Sequence, residues 1–132
     1  MIKSEFDKAP IQKYPIEQCV CNFKYLSDLM NGKKNLITGV MDAFLTQVPE
    51  ELQRINKAVE NTDYATIKIF AHSMRSSVSI MDISVLRTLL EEMEDLGASA
   101  TGIEKISELN QKLNLICKQA LEETEKEKCN YI

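Results

Sequence analysis

The chain has 132 residues, 44% hydrophobic and 27% charged, which is typical of one globular domain able to bury a core without disulfides or a metal. Its formal net charge of −4 argues against nucleic acid as the main partner, because no basic stripe offsets the acidic balance. Its first residues lack a signal-peptide pattern, and its longest apolar stretch, near residues 36–45, is too short to span a membrane. We therefore expect a soluble, cytoplasmic protein without membrane contact.

The four cysteines are Cys19, Cys21, Cys117 and Cys129. Cys19 and Cys21 form a C-x-C pair that could hold a soft metal, but a closed site needs further ligands, and the one histidine is far away in sequence. We expect reduced thiols and no metal, with Cys117 near the core.

The first half of the chain predicts an irregular lead-in and two helices. Residues 1–22 lack periodicity and contain two prolines, and a short helix follows over residues 23–30, closed by Asn31 and Gly32. Apolar residues then recur every three or four positions, which predicts a long amphipathic helix. This stripe consists of Ile37, Met41, Phe44, Val48, Leu52, Ile55 and Val59. Pro49 lies inside it, so the helix either kinks there or restarts with Pro49 as its first residue.

The second half predicts three more helices. Residues 61–63 (NTD) form a break with an N-cap signal, and a helix follows from about 63 to 81. Asp82 or Ser84 is expected to cap the next helix, which should end at Gly97 before a small-residue loop to Gly102. The last helix carries an apolar stripe from Ile106 to Ala120 and a charged, solvated tail.

The fold predicted from these elements is all-α: an up-down-up-down four-helix bundle over residues 23–128, with a short additional N-terminal helix. No strand pattern competes, and there are only four glycines and three prolines in the chain. The inward residues of the third predicted helix are Ile67, Phe70, Ala71, Met74, Val78 and Met81.

The candidate functional residue is His72, the only histidine. At helical spacing it shares the polar face of its helix with Lys68, Arg75, Ser76 and Ser79, so we expect it to be exposed. A catalytic triad would need a glycine-rich nucleophile elbow, and metal catalysis would need further histidines. General acid–base work would need a pocket, which the convex face of a bundle is not expected to supply.

Phosphoryl transfer suits an exposed imidazole that lacks a pocket. Neutral imidazole is a competent nucleophile towards an acyl phosphate at physiological pH. Arg75 can screen the incoming charge with its planar fork of donors, and Lys68 adds a second cation. Ser76 is small enough for a partner's active site to approach His72 closely. The partner would supply the Mg²⁺ and the in-line geometry, so this chain needs no cofactor of its own.

Two segments resemble the histidine-containing phosphotransfer (HPt) domain of bacterial two-component phosphorelays. Residues 71–77 (AHSMRSS) fill the family pattern A-H-x-L-K-G-S, and residues 44–52 (FLTQVPEEL) fill the pattern F-L-x-x-x-P-x-x-L of the preceding helix. The resemblance spans most of residues 23–121. Arg75 stands where the family usually has Lys, Ser76 replaces the common Gly, and Asp82 occupies a position often held by Gly.

The resemblance implies that His72 carries a phosphoryl group between receiver-domain aspartates, with response-regulator receivers, a hybrid histidine kinase, or both as partners. It implies a phosphocarrier without a kinase activity or an ATP site, and four helices in one chain favour a monomer. The alternatives are a helical docking module that binds receivers without being phosphorylated, and a homodimeric domain like those of histidine kinases. Ile69 and Met41 are weak candidates for the partner surface, since either could instead belong to the core, and the acidic run from Glu91 to Asp95 is expected to be a solvated face.

Overall fold

The computed structural model describes residues 19–131, which form five α-helices and no strand. The helices are α1 (Phe23–Leu29), α2 (Lys34–Glu60), α3 (Tyr64–Ile80), α4 (Ser84–Ser99) and α5 (Ile103–Lys128), followed by a 3₁₀ turn (Cys129–Tyr131). The predicted all-α class is confirmed. Residues 1–18 of the predicted lead-in lie outside the described residues, so the predicted boundary of the domain stays a prediction.

Helix α2 runs through Pro49 as one helix of 27 residues, so the predicted restart at Pro49 does not occur. The predicted apolar stripe forms its buried face, except that Val59 is half-buried and Ala58 is buried beside it. Met41 is fully buried. Its suggested place on a partner surface is therefore wrong, because helical periodicity puts it on the same face as the rest of the stripe.

The turn between α2 and α3 has the predicted N-cap. Asp63 accepts hydrogen bonds from the backbone N–H of Thr66 at 3.2 Å and from its hydroxyl at 2.6 Å. These bonds lower the pKa of the Asp63 carboxyl, the side-chain bond being the larger cause. A cap of this kind satisfies backbone donors that the first turn of a helix leaves unpaired.

Both predicted ends of α4 are wrong. The residue at its N-cap position is Ile83, and no side chain caps the helix. Asp82 instead has a φ of +52° and accepts a hydrogen bond from the Asn22 side chain at 3.0 Å. At the other end, Gly97 lies inside α4, and the chain turns at Ala100, whose φ is +54°.

Gly97 is inside the helix because α3 and α4 approach each other closely at this point. A Cβ at Gly97 would lie 3.0 Å from the backbone nitrogen of Lys68 and 3.1 Å from the carbonyl oxygen of Tyr64. Contacts of this length with backbone atoms are tighter than nine in ten that real Cβ atoms make, so one of the two helices would have to shift by a few tenths of an ångström. The glycine is therefore a packing residue here, and this explains why it does not end the helix.

The helices enclose one apolar core. Helix α2 packs against α3 and α5, and α4 packs against the same two helices. The largest fully buried side chains are Leu26, Ile37, Met41, Ile55, Ile67, Met74, Met81, Ile83, Leu86, Leu90, Met93 and Ile106. Cys117 is buried, as predicted, and burial raises the pKa of its thiol to about 12, so it stays protonated at neutral pH.

Residues 19–22, which we call the N-terminal strap, fasten α1 to two other parts of the fold. The Glu123 carboxylate on α5 accepts hydrogen bonds from the backbone N–H groups of Val20, at 2.9 Å, and Cys21, at 3.0 Å. Asn22 donates its backbone N–H to the carbonyl of Met81 at 3.0 Å, and its side chain caps α1. Through these bonds the strap places α1 beside the turn that joins α3 and α4.

Candidate functional site

His72 lies near the middle of α3, and its side chain is 69% exposed. Its exposure is confirmed, and its neighbours explain it. Ala71 and Met74 are buried on the core side of the helix, which leaves His72 on the opposite side at helical spacing.

The imidazole has a partner on another helix that its own sequence motif does not indicate. The Nδ1 atom of His72 lies 2.9 Å from Oε2 of Glu94, which extends from α4. An ionised carboxylate only accepts hydrogen bonds, so Nδ1 carries the proton and donates it. The lone pair of the neutral ring is then on Nε2.

Glu94 also binds Arg75, so one carboxylate joins both candidate residues of α3. Arg75 Nη1 donates to Glu94 Oε1 at 2.9 Å, and Arg75 Nη2 lies 3.4 Å from Glu91 Oε2. The Arg75 hydrogen bond first, and the His72 hydrogen bond second, lower the pKa of the Glu94 carboxyl. Glu94 therefore keeps its negative charge down to a lower pH than an ordinary glutamate does.

The expectation that the acidic run of α4 is a solvated face is wrong for Glu94. Glu91, Glu92 and Asp95 are exposed, whereas the side chain of Glu94 is only 19% exposed. Arg75, the residue expected to screen the incoming phosphoryl charge, binds the carboxylates of α4 in this structure.

The surface around His72 carries an open groove, which is not the enclosed pocket that general acid–base work would need. An open groove between α1, α3 and α4 is lined by Tyr25, Leu29, His72, Arg75, Ser76, Ser79, Ile80 and Arg87. Four of the five predicted site residues thus share one surface. Lys68 is exposed one helical turn before His72 but does not line this groove.

A second, smaller groove lies between α2 and α3 and includes Ser76, so this small residue borders both depressions. Apolar side chains are exposed near His72: Ile69 is 60% exposed, Leu29 49% and Tyr25 42%. Exposed apolar groups around a polar reactive residue are typical of a surface that contacts another protein. The exposure of Ile69 is compatible with its suggested place on a partner surface.

Within residues 19–131 no group of three or more His, Cys, Asp or Glu side chains could hold a metal ion. No helix in this described part of the chain is long and apolar enough to cross a membrane. The fold and the site together define a helical domain that presents one oriented, accessible histidine in an open groove.

The comparison with models of protein families gives this class a name. The Hpt domain model matches residues 39–127, about two thirds of the chain, and the chain belongs to the Hpt domain family. Domains of this family are phosphocarriers of two-component signalling and interact with receiver domains and kinases. The match contains His72 and Glu94 but begins after α1. Comparisons with curated proteins and with solved structures gave no match.

Proposed function

We propose that His72 relays a phosphoryl group between receiver-domain aspartates in a phosphorelay, with response-regulator receivers, a hybrid histidine kinase, or both as partners. The observation that carries the proposal is that the His72 ring is bound at one nitrogen and open to solvent at the other side. Nδ1 is engaged by Glu94, and the side chain is 69% exposed, so a nucleophilic nitrogen is available to another macromolecule.

The chain supplies the nucleophile, and the receiver supplies the Mg²⁺ and the in-line geometry. The proposed phosphoacceptor is His72. Arg75 and Lys68 add positive charge near the phosphoryl group, while Ser76 and Ser79 leave room in the groove for the receiver. In this mechanism the partner catalyses most of the transfer, and the chain is a carrier without a kinase activity of its own.

The proposal includes an up-down-up-down bundle, acting as a monomer in the cytoplasm. Short connections between successive helices and the packing of α2 and α4 against α3 and α5 support this topology. Because the core already lies between helices of one chain, no second copy is needed to complete it.

The test is to mix the protein with a phosphorylated receiver domain and Mg²⁺, and to follow it by mass spectrometry and ³¹P NMR. We expect an acid-labile phosphoramidate on the wild type and none on His72→Gln. The circular dichroism of the variant should match the wild type, because the side chain is exposed. A wild-type protein that stays folded and unphosphorylated with several receivers, yet binds them, would favour the docking module instead.

A further inference from the structure

We propose that Arg87 selects the partner: it pairs with a carboxylate that the docking receiver domain carries on the order of 10 Å from its phosphorylated aspartate. The inference rests on the proposed function of His72 and deepens it, because it names a charge that a receiver must present. Arg87 lies on α4, outside the histidine motif, and lines the same groove as His72.

The groove beside His72 is cationic, although the chain is acidic overall, with a formal net charge of −4. Of the described residues that line it, Arg75 and Arg87 are cationic and none is a carboxylate. The exposed apolar side chains of Tyr25 and Leu29 line it as well. The groove is therefore complementary to a partner surface that combines a carboxylate with apolar contacts.

The two arginines of the groove are held differently. Arg75 donates to Glu94 at 2.9 Å and lies 3.4 Å from Glu91, so its planar fork is engaged by α4. Arg87 lies 3.6 Å from Asp82 Oδ1, which is beyond hydrogen-bond distance, and its side chain is 47% exposed. The guanidinium presents a fork of N–H donors, so Arg87 can bind a partner carboxylate bidentately while it stays beside Asp82.

Asp82 is fixed in place independently of Arg87. It lies in the turn between α3 and α4 with a φ of +52°, and its Oδ2 accepts a hydrogen bond from the Asn22 side chain at 3.0 Å. This carboxylate is a fixed negative charge that keeps the Arg87 guanidinium at its end of the groove before a partner arrives. A side chain ordered in advance loses less conformational freedom on binding, which favours its use in recognition.

The position of Arg87 gives the distance that the partner must match. Arg87 precedes Glu94 by seven residues on α4, which is two helical turns or about 10 Å along the axis. Glu94 is bonded to His72. During transfer the phosphorylated aspartate of the receiver must lie at His72, so Arg87 meets the receiver surface outside the reacting atoms. It therefore acts on docking and leaves the chemistry to other groups.

A purely structural role for Arg87 predicts a different result. Exposed ion pairs contribute little to stability, so Arg87→Ala and Arg87→Glu should keep the circular dichroism and the melting temperature of the wild type. Lys112 offers a control, because it is exposed on α5 and does not line the groove. Lys112→Glu makes the same change of net charge as Arg87→Glu. A loss of receiver affinity confined to the Arg87 variants would therefore report a contact in the groove.

The first experiment measures receiver affinity and phosphoryl transfer separately. The probe is a receiver domain that binds the wild type, and its dissociation constant is measured by isothermal titration calorimetry at low and at high salt. We expect Arg87→Ala to weaken binding about tenfold at low salt and Arg87→Glu to weaken it further. High salt should reduce both differences by screening the pair. Lys112→Glu should bind like the wild type, and all variants should reach the wild-type transfer rate at saturating receiver.

The second experiment finds the partner carboxylate by charge reversal. Asp and Glu residues of the receiver that lie roughly 10 Å from its phosphorylated aspartate, apart from those that hold Mg²⁺, are replaced one at a time by Lys. One replacement should weaken binding to the wild type and restore binding to Arg87→Glu.

Three results would overturn the inference while leaving His72 as the carrier. They are wild-type affinity in Arg87→Glu, an equal loss of affinity in Lys112→Glu, and the absence of any receiver replacement that restores binding. A fall in the saturated rate of Arg87→Ala at unchanged affinity would also overturn it, because Arg87 would then act on the chemistry. Failure of every receiver to phosphorylate a protein that binds it would instead reject the proposed function, and the affinities would still test Arg87.

Discussion

Arg75 is held by carboxylates of α4 and does not contact His72, but its position can still affect phosphoryl transfer to His72. Its guanidinium binds Glu94 at 2.9 Å and approaches Glu91 at 3.4 Å. Two effects follow from this position. Arg75 helps to hold the Glu94 carboxylate in place, and it keeps a positive charge one helical turn from His72, where phosphoryl charge would arrive.

We therefore expect Arg75→Ala to slow the transfer to His72 by about tenfold without abolishing it, since one fixed charge and one hydrogen bond are lost. The transfer rate of Arg75→Lys should lie between those of the wild type and Arg75→Ala. A lysine ammonium keeps the charge but cannot bind two carboxylates with a planar fork of donors. Stopped-flow measurement of transfer from a phosphorylated receiver checks this order.

Arg87→Ala is the matched control for Arg75. Arg87 lines the same groove, but its ion pair, at 3.6 Å, is with Asp82. Its loss should change the receiver concentration needed for half-maximal rate more than the rate at saturation. A wild-type transfer rate in Arg75→Ala would show that neither effect of this arginine matters.

The sequence predicted the candidate residues of α3 but not Glu94. His72 and Arg75 belong to one contiguous segment with a known family pattern, and their shared face follows from helical spacing alone. Glu94 is one of several acidic residues on α4, and although helical spacing puts it nearest to the apolar face, the sequence does not show which side chain it meets. Its selection depends on how α4 rotates and packs against α3, which is a property of the tertiary structure.

At the scale of secondary-structure elements, the contact between α3 and α4 depends on Gly97. Inside a helix glycine is ordinarily unfavourable by about 1 kcal/mol relative to alanine. At Gly97, however, an added Cβ would lie 3.0 Å from the Lys68 backbone nitrogen, so the two helices would have to move apart by a few tenths of an ångström. The cost of glycine in the helix is offset by close packing that a larger residue prevents.

Gly97→Ala should therefore lower the free energy of unfolding by about 1–3 kcal/mol, the usual cost of overpacking a tight contact. Gly39→Ala is the control, because Gly39 lies in α2 with nothing within 4 Å of the added Cβ. That variant should gain about 0.5–1 kcal/mol from helix propensity. Urea denaturation followed by circular dichroism measures both, and an equal response of the two variants would contradict the packing role of Gly97.

The predicted helices agree best with the structure where an apolar pattern repeats over many turns, and least at the helix ends. The stripe of α2 placed Ile37, Phe44, Val48 and Ile55 in the core, because six turns of consistent spacing leave little ambiguity. In α4, by contrast, Gly97 was expected to end the helix, whereas the helix continues to Ser99. A glycine can also lie inside a helix where another element packs closely against it, and local sequence does not contain that information.

At the scale of the whole molecule, the all-helical class followed from the sequence, whereas the polar contacts between distant segments did not. Asn56 on α2 accepts hydrogen bonds from Asn110, at 2.7 Å, and Asn114, at 2.9 Å, both on α5. Asn110 is buried, although its side chain is polar. Buried amides of this kind need partners from another helix, so their positions depend on which helices become neighbours.

The N-terminal strap makes another such contact, and it connects α5 with the surface around His72. Glu123 binds the backbone of Val20 and Cys21, and Asn22 binds the turn between α3 and α4. Helix α1 follows directly and contributes Tyr25 and Leu29 to the groove. If receivers dock in this groove, a carboxylate on α5 controls part of the docking surface without touching it.

We expect Glu123→Ala to release the strap, because a carboxylate that accepts backbone N–H bonds contributes about 1.5–3 kcal/mol to local stability. Amide hydrogen exchange should quicken at residues 20–26 and stay unchanged in α3. The receiver concentration for half-maximal transfer should rise several-fold. The saturated rate and phosphorylation by a small-molecule donor should remain at wild-type levels, since His72 and Glu94 are untouched.

Glu122→Ala, at the neighbouring exposed position, should change none of these quantities. Unaltered exchange at Val20 and Cys21 in Glu123→Ala would show that the strap is held by its other bonds, and a fall in the saturated rate would instead connect α5 to the chemistry at His72.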